Sequence, residues 1–142
     1  MANLIVDSSV AVKWFVPEPY STEARRILDG YQAGTLSFLA PDLINAEFGN
    51  IIWKKHLYQG LESADAQVVI DEFRKITFTL TSTGNLLEEA YRLAVTHQRS
   101  VYDMLYVALS IRESCRLVTA DERLINAVGS LFPNVVWVGR WP

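Results

Sequence analysis

The sequence predicts an α/β protein built on one mostly parallel five-stranded sheet with helices on both faces. Two features lead there. Five short apolar runs alternate along the chain with stretches whose apolar residues recur at three- and four-residue spacing. And 142 residues, half hydrophobic and a fifth charged, suit a single domain with a full core.

"LIVD" at 4–7 opens the chain as a buried strand, and "SVAVKWF" follows as a short helix or turn. An amphipathic helix over 21–33 is stopped by Gly34, and "TLSFLA" at 35–40 makes the second strand. The long helix over 42–58 starts after Pro41 and ends before Gly60. A further helix covers 63–75, and "ITFTLT" at 76–81 alternates as a third strand. Helices at 85–97 and 101–115 precede "RLVTA", the fourth strand. "DERLINAV" is then a short helix and "VVWV" the fifth strand. Residues 1–142 read as one domain, with no internal repeat, low-complexity stretch or linker.

A net charge of −3 excludes a broad basic face for nucleic acid, though not a small site touching a few phosphates. The N-terminal "MANLIVD" has no basic region, and Asp7 interrupts its apolar run, so neither a signal peptide nor a membrane anchor is expected. Cys115 is the only cysteine and reads as a small buried residue on the 101–115 helix; a cytoplasmic protein is the simplest expectation. Trp14, Phe15, Trp53 and Trp141 serve either the core or a partner surface.

Four acids stand out. Asp7 and Asp121 each follow a strand, and ligand sites of open α/β sheets lie beyond the carboxyl ends of strands. Either has a plainer reading: Asp7 as a helix N-cap, and Asp121 inside a Thr119–Glu122 capping box. Asp103 sits at the edge of a nearly all-apolar helix, where Ser100-x-x-Asp103 also fits a capping box. Capping cannot explain Glu47. It lies more than a turn inside its helix, on a narrow polar stripe with Asn50 and Lys54 between two apolar flanks. If these acids met, two unit charges about 4 Å apart would repel by about 4 kcal/mol at an effective dielectric near 20. A divalent cation would compensate. Carboxylate oxygens suit Mg²⁺ or Mn²⁺, and with only His56 and His97 as histidines a zinc site is not indicated. Metal-assisted hydrolysis of a phosphate ester is the chemistry such a site implies.

In order and spacing, "LIVDSSVAVKW", "APDLINAEFGNIIWKK", "SVYDMLYVALS" and "RLVTADERL" resemble PIN-domain ribonucleases, especially VapC-like toxins of toxin–antitoxin pairs, across nearly the whole chain. The resemblance implies a PIN-like fold and one pocket of Asp7, Glu47, Asp103 and Asp121 holding Mg²⁺ or Mn²⁺. It places Ser9 and Thr119 as hydroxyls beside that pocket. It also implies a homodimer, a cognate antitoxin and a structured RNA substrate, often tRNA or rRNA. Some members carry a further acid after the last one; here only Glu122 and Asn126 are near, which leaves one or two metal ions open. Asp7, Asp103 and Asp121 are read as metal ligands, directly or through water, with Glu47 positioning water or taking its proton. Lys13, Lys54 and Arg99 lie near the pocket segments in sequence and are lesser candidates for local positive charge.

Other enzyme classes lack their signatures. No G-x-G-x-x-G follows the first strand, and there is neither a P-loop nor a G-x-S-x-G elbow. Ser9 stands where an aspartyl phosphatase would carry a second acid. Two rivals remain: a non-catalytic module docking a basic peptide or RNA in the acidic pocket, and a metal-dependent DNA nuclease using the same site.

Overall fold

The computed structural model describes residues 1–142. The five apolar runs form β1 (Ala2–Val6), β2 (Leu36–Pro41), β3 (Phe78–Thr81), β4 (Arg116–Thr119) and β5 (Val135–Trp137). All neighbours pair in parallel, in the order β3-β2-β1-β4-β5. The helices are α1 (Ser8–Ala11), α2 (Ser21–Gln32), α3 (Leu43–Tyr58), α4 (Ser63–Arg74), α5 (Thr83–His97), α6 (Val101–Glu113) and α7 (Glu122–Val128), with 3₁₀ turns at Val12–Trp14 and Val138–Arg140. This is the expected α/β architecture. No helix is long and apolar enough to cross a membrane.

The strand order places the site. From β1 the chain moves outward through β2 to β3, then returns to add β4 and β5 on the other side of β1. The direction of winding therefore reverses between β1 and β4, and the carboxyl ends of those strands flank the crevice where such sheets bind ligands. Leu4, Ile5 and Val6 of β1 and Leu117 and Val118 of β4 are buried, as expected for central strands covered on both faces. Edge strand β3 has no fully buried residue: Phe78 and Thr81 are partly covered, while Thr79 and Leu80 are exposed, so the alternation of its sequence gives no closed apolar face.

Local chemistry explains most boundaries. Ser82 caps α5 by accepting from the Asn85 N–H, so that helix begins two residues earlier than its apolar periodicity indicates. Ser114 adopts a left-handed backbone at φ 50° and ends α6 at Glu113. Cys115 therefore lies beyond the helix and is partly exposed, not a buried helical residue. Trp14 belongs to the core: it stacks on Phe38 at 5.2 Å, and its indole N–H donates to the Ala24 carbonyl at 2.9 Å. Trp53, by contrast, is half exposed on α3.

Candidate active site

Asp7 ends β1 and begins α1. Its carboxylate caps that helix by accepting from the Val10 N–H, and it also receives the Ser9 and Thr119 hydroxyls, each at 2.5 Å. Both hydroxyls work twice. Ser9 Oγ accepts from the Ala120 N–H at 3.0 Å, and Thr119 Oγ1 accepts from the Asp121 N–H at 3.0 Å. These four bonds tie the ends of β1 and β4 together around Asp7. The capping and functional readings of Asp7 thus coexist. Burial pushes its carboxyl up to about 6 from an ordinary 3.8, against the hydroxyls that favour the charged form, and the Glu47 charge adds to the rise.

Asp121 is itself the N-cap of α7, accepting from the Arg123 and Leu124 N–H groups through Oδ1. The Thr119–Glu122 capping box does not form, because Asp121 is the N-cap and the Thr119 oxygen accepts from the Asp121 N–H instead of from Glu122. Asp103 lies in the first turn of α6. Ser100 caps that helix by accepting from the Asp103 N–H, but the Asp103 carboxylate turns to Arg99 at 3.2 Å instead of completing the box. Burial raises the Asp103 carboxyl, the Asp121 charge raises it further, and Arg99 works against both. Glu47 leans from α3 toward the same end of the sheet. Its Oε1 receives the Tyr106 hydroxyl at 2.6 Å and the Ser8 hydroxyl at 3.3 Å. Burial raises its carboxyl too, with a contribution from Asp103.

The four acids are therefore coupled in a line: Asp7 with Glu47, Glu47 with Asp103, Asp103 with Asp121. Arg99 is the only cation hydrogen-bonded to any of them. In donor type they fit a hard divalent cation, which takes carboxylate oxygens and relieves like-charge crowding. No three of them converge closely enough to surround one ion in this arrangement; hydroxyl and guanidinium partners hold several of the oxygens instead.

Two of the lesser candidates stand elsewhere. Lys13 pairs with Glu18 at 3.2 Å, and Lys54 is an exposed residue on α3. The polar stripe through Asn50 and Lys54 runs out into solvent. Its neighbour Lys55 is the buried lysine, also on Glu18. Sequence reasoning missed Tyr106 and Ser8 as the holders of Glu47. Tyr106 carried no local signal, since in a nearly all-apolar helix it reads as one more core residue.

A PIN domain family model matches residues 4–129. Ribonuclease VapC3 of Pyrobaculum aerophilum is 36% identical over 132 residues, spanning 91% of this chain and 97% of that protein. The crystal structure of PAE2754 from Pyrobaculum aerophilum superposes with a TM-score of 0.70 at 22% identity, over 97% of this chain and 85% of that one. VapBC2 from Rickettsia felis, bound to a DNA fragment from its promoter, gives a TM-score of 0.64 at 15% identity, over 95% of this chain and 96% of that one. Parallel topology, family match and identity agree: the chain belongs to the PIN-domain family, as a VapC-like member.

Proposed function

We propose that the protein is a Mg²⁺- or Mn²⁺-dependent endoribonuclease, the toxin of a toxin–antitoxin pair, acting in the cytoplasm on phosphodiester bonds of structured RNA such as tRNA or rRNA. On this reading residues 1–142 work as one PIN unit. The observation that carries it is the line of four carboxylates at the β1–β4 switch point, three of them with raised proton affinity, facing one arginine. Identity of 36% to a ribonuclease favours RNA over DNA as substrate.

Asp7, Asp103 and Asp121 would hold the cation directly or through water, which suits carboxylates too far apart to surround one ion by themselves; the cation would supply positive charge to the phosphate and make water a better nucleophile at neutral pH. The remaining roles fall to the chain. Ser9 and Thr119 fix Asp7 in one rotamer. Tyr106 and Ser8 both bind Oε1 of Glu47, which leaves Oε2 to take a proton from the attacking water. The raised proton affinity of Glu47 suits a general base.

The partners belong to the same proposal. Leu87, Tyr91 and Val95, four residues apart on α5, are each more than half exposed, as is Tyr102 at the start of α6. That apolar stripe supports a homodimer. Trp53, Leu57 and Tyr58 near the end of α3 are likewise each more than half exposed, with Trp53 and Tyr58 ring centroids 6.3 Å apart, which supports a docked antitoxin.

The test is cleavage of total cellular RNA by antitoxin-free protein with Mg²⁺ or Mn²⁺, with EDTA, and with Asp7→Asn. Discrete metal-dependent bands that disappear in the variant are expected. Metal binding without cleavage would leave the binding-module reading standing in its place.

A further inference from the structure

A sizeable cleft lies apart from the acid line itself. About 570 Å³ lies between α7 and edge strand β5, lined among others by Glu122, Ile125, Asn126, Val136, Trp137 and Arg140. Its position is set by the sheet. Trp137 is the register partner of Thr119, whose hydroxyl holds Asp7, and Glu122 directly follows Asp121. The cleft therefore lies one strand over from the β1–β4 ends, next in chain to Asp121, although none of the four acids lines it.

We propose that this cleft is a subsite for one unpaired nucleotide of the RNA, adjoining the phosphate that is cut; the inference rests on the ribonuclease reading above. The chemistry of the lining matches a nucleotide part by part. Trp137, Val136 and Ile125 offer apolar surface to a base, and aromatic stacking binds any base through its π-face. Asn126 and Glu122, four residues apart on α7, offer an amide and a carboxylate to a base edge. Arg140 is exposed and engaged in no ion pair, which leaves its guanidinium for a phosphate in a chain of net charge −3.

Trp137 is also held in place. Tyr20 packs edge-on against it with ring centroids 5.2 Å apart, from a left-handed backbone at φ 67° that a tyrosine rarely adopts. Gly139 completes the support: a Cβ there would lie 2.4 Å from the Trp137 indole nitrogen and 2.9 Å from the Tyr20 ring. A fixed indole loses little freedom when a base stacks on it. A peptide is the poorer fit. Strand β5 has three residues before the chain turns into a 3₁₀ helix, too little edge for strand addition.

Two measurements test this, with Asn126→Ala and Arg140→Ala as exposed substitutions whose melting temperatures should match wild type. In the first, fluorescent pentanucleotides of A, C, G and U are titrated into the protein in Ca²⁺. Binding of at least one is expected, weakened roughly tenfold in each variant. In the second, cut sites in total RNA are mapped with Mg²⁺. Wild type should show a base preference at one position flanking the cut, relaxed in Asn126→Ala, with Arg140→Ala raising KM and sparing kcat. Equal pentanucleotide affinities and unchanged cut sites in an active enzyme would overturn the subsite while leaving the ribonuclease reading intact. Absence of cleavage with pentanucleotide binding that both variants weaken would instead remove the catalytic reading and keep the nucleotide site. Loss of antitoxin binding in the variants, with RNA unaffected, would assign the cleft to a peptide and overturn the proposal.

Discussion

Helix α3 carries a buried charge cluster near each end, and the two are built on opposite rules. Near its start, Glu47 joins Asp7, Asp103 and Asp121, with Arg99 as their one bonded cation. Near its end, Lys55 meets Glu18 at 2.5 Å, and Glu18 also takes Lys13 at 3.2 Å. Burial raises the Glu18 carboxyl, but Lys55 and Lys13 outweigh it and bring the group below its ordinary value. Asp7, Glu47 and Asp103 all end above theirs. The same fold thus compensates buried charge at one end and leaves it uncompensated at the other. A compensated cluster is a structural device that joins the 16–20 segment to α3. The uncompensated one has the signature of a site awaiting a positive ligand.

Removing one charge from each cluster should therefore act in opposite directions. Asp7→Asn is expected to lower metal-dependent cleavage on the order of 10³-fold. It should also stabilise the metal-free protein by about 1–2 kcal/mol, because the buried charge disappears while asparagine still caps α1. For a chain of this size that is several degrees in Tm. Thermal melts in EDTA decide it: a variant that melts below wild type would show that Asp7 is not a destabilising charge.

The pH dependence sharpens the contrast. The folded-state pKa of Asp7 lies near 6, above its ordinary 3.8, so between those values the folded chain holds the proton more tightly than the unfolded one. Stability of the metal-free protein should fall as pH rises through that window, by roughly 3 kcal/mol in full, and less than half of this is recovered at pH 5. Glu47 and Asp103 act with the same sign. Glu18, lowered, acts with the other: its stabilisation is present above the ordinary glutamate value and lost as pH falls below it. Urea unfolding in EDTA at pH 5 and 7.5 should give the higher stability at pH 5, and Asp7→Asn should remove most of the difference. A flat profile in wild type would contradict the assignment.

At the compensated end, Glu18→Gln leaves two buried lysines without their shared carboxylate. Breaking such a group costs several kcal/mol when it is fully buried. Glu18 retains partial contact with water, so about 2 kcal/mol of destabilisation is the discounted expectation. Cleavage by the folded variant should equal that of wild type, and a large loss of kcat at a temperature where it remains folded would join the two clusters functionally.

What the sequence discloses of these clusters depends on how local the determinants are. Asp7 and Asp121 are legible because strand ends and cap positions are set by a few neighbouring residues, and five parallel strands alternating with helices follow from periodicity alone. Lysine identity at the far end of α3 is a harder case. Lys54 shares the polar stripe of Glu47 at seven residues, whereas Lys55 continues the buried face of Ile44, Phe48 and Ile52. Its burial depends on a carboxylate 37 residues away on an irregular segment, which no helical pattern reports. The partners of Glu47 are equally remote, Ser8 at 39 and Tyr106 at 59 residues' separation. Tyr106 in an apolar helix reads as one more core residue until the fold brings α3 across it.

Tyr106 probes the acidic cluster most finely, because it is a neutral group that serves it. Burial, then the charge of Glu47 and their hydrogen bond, push the Tyr106 phenol far above its ordinary value, so it remains a donor throughout the working range. Tyr106→Phe keeps the packing and deletes the 2.6 Å bond, leaving Glu47 Oε1 with Ser8 alone. Stability should change by about 1 kcal/mol or less, since one hydrogen bond is lost from a half-buried acceptor that keeps another donor. Cleavage should fall about tenfold, the usual cost of removing a group that orients a functional carboxylate. The split between constants is informative. If Tyr106 only fills space, kcat and the Mn²⁺ affinity measured by calorimetry will both match wild type. If it orients Glu47, kcat falls while RNA affinity holds, and Tyr106→Leu, which removes the ring as well, loses stability without a further proportionate loss in kcat.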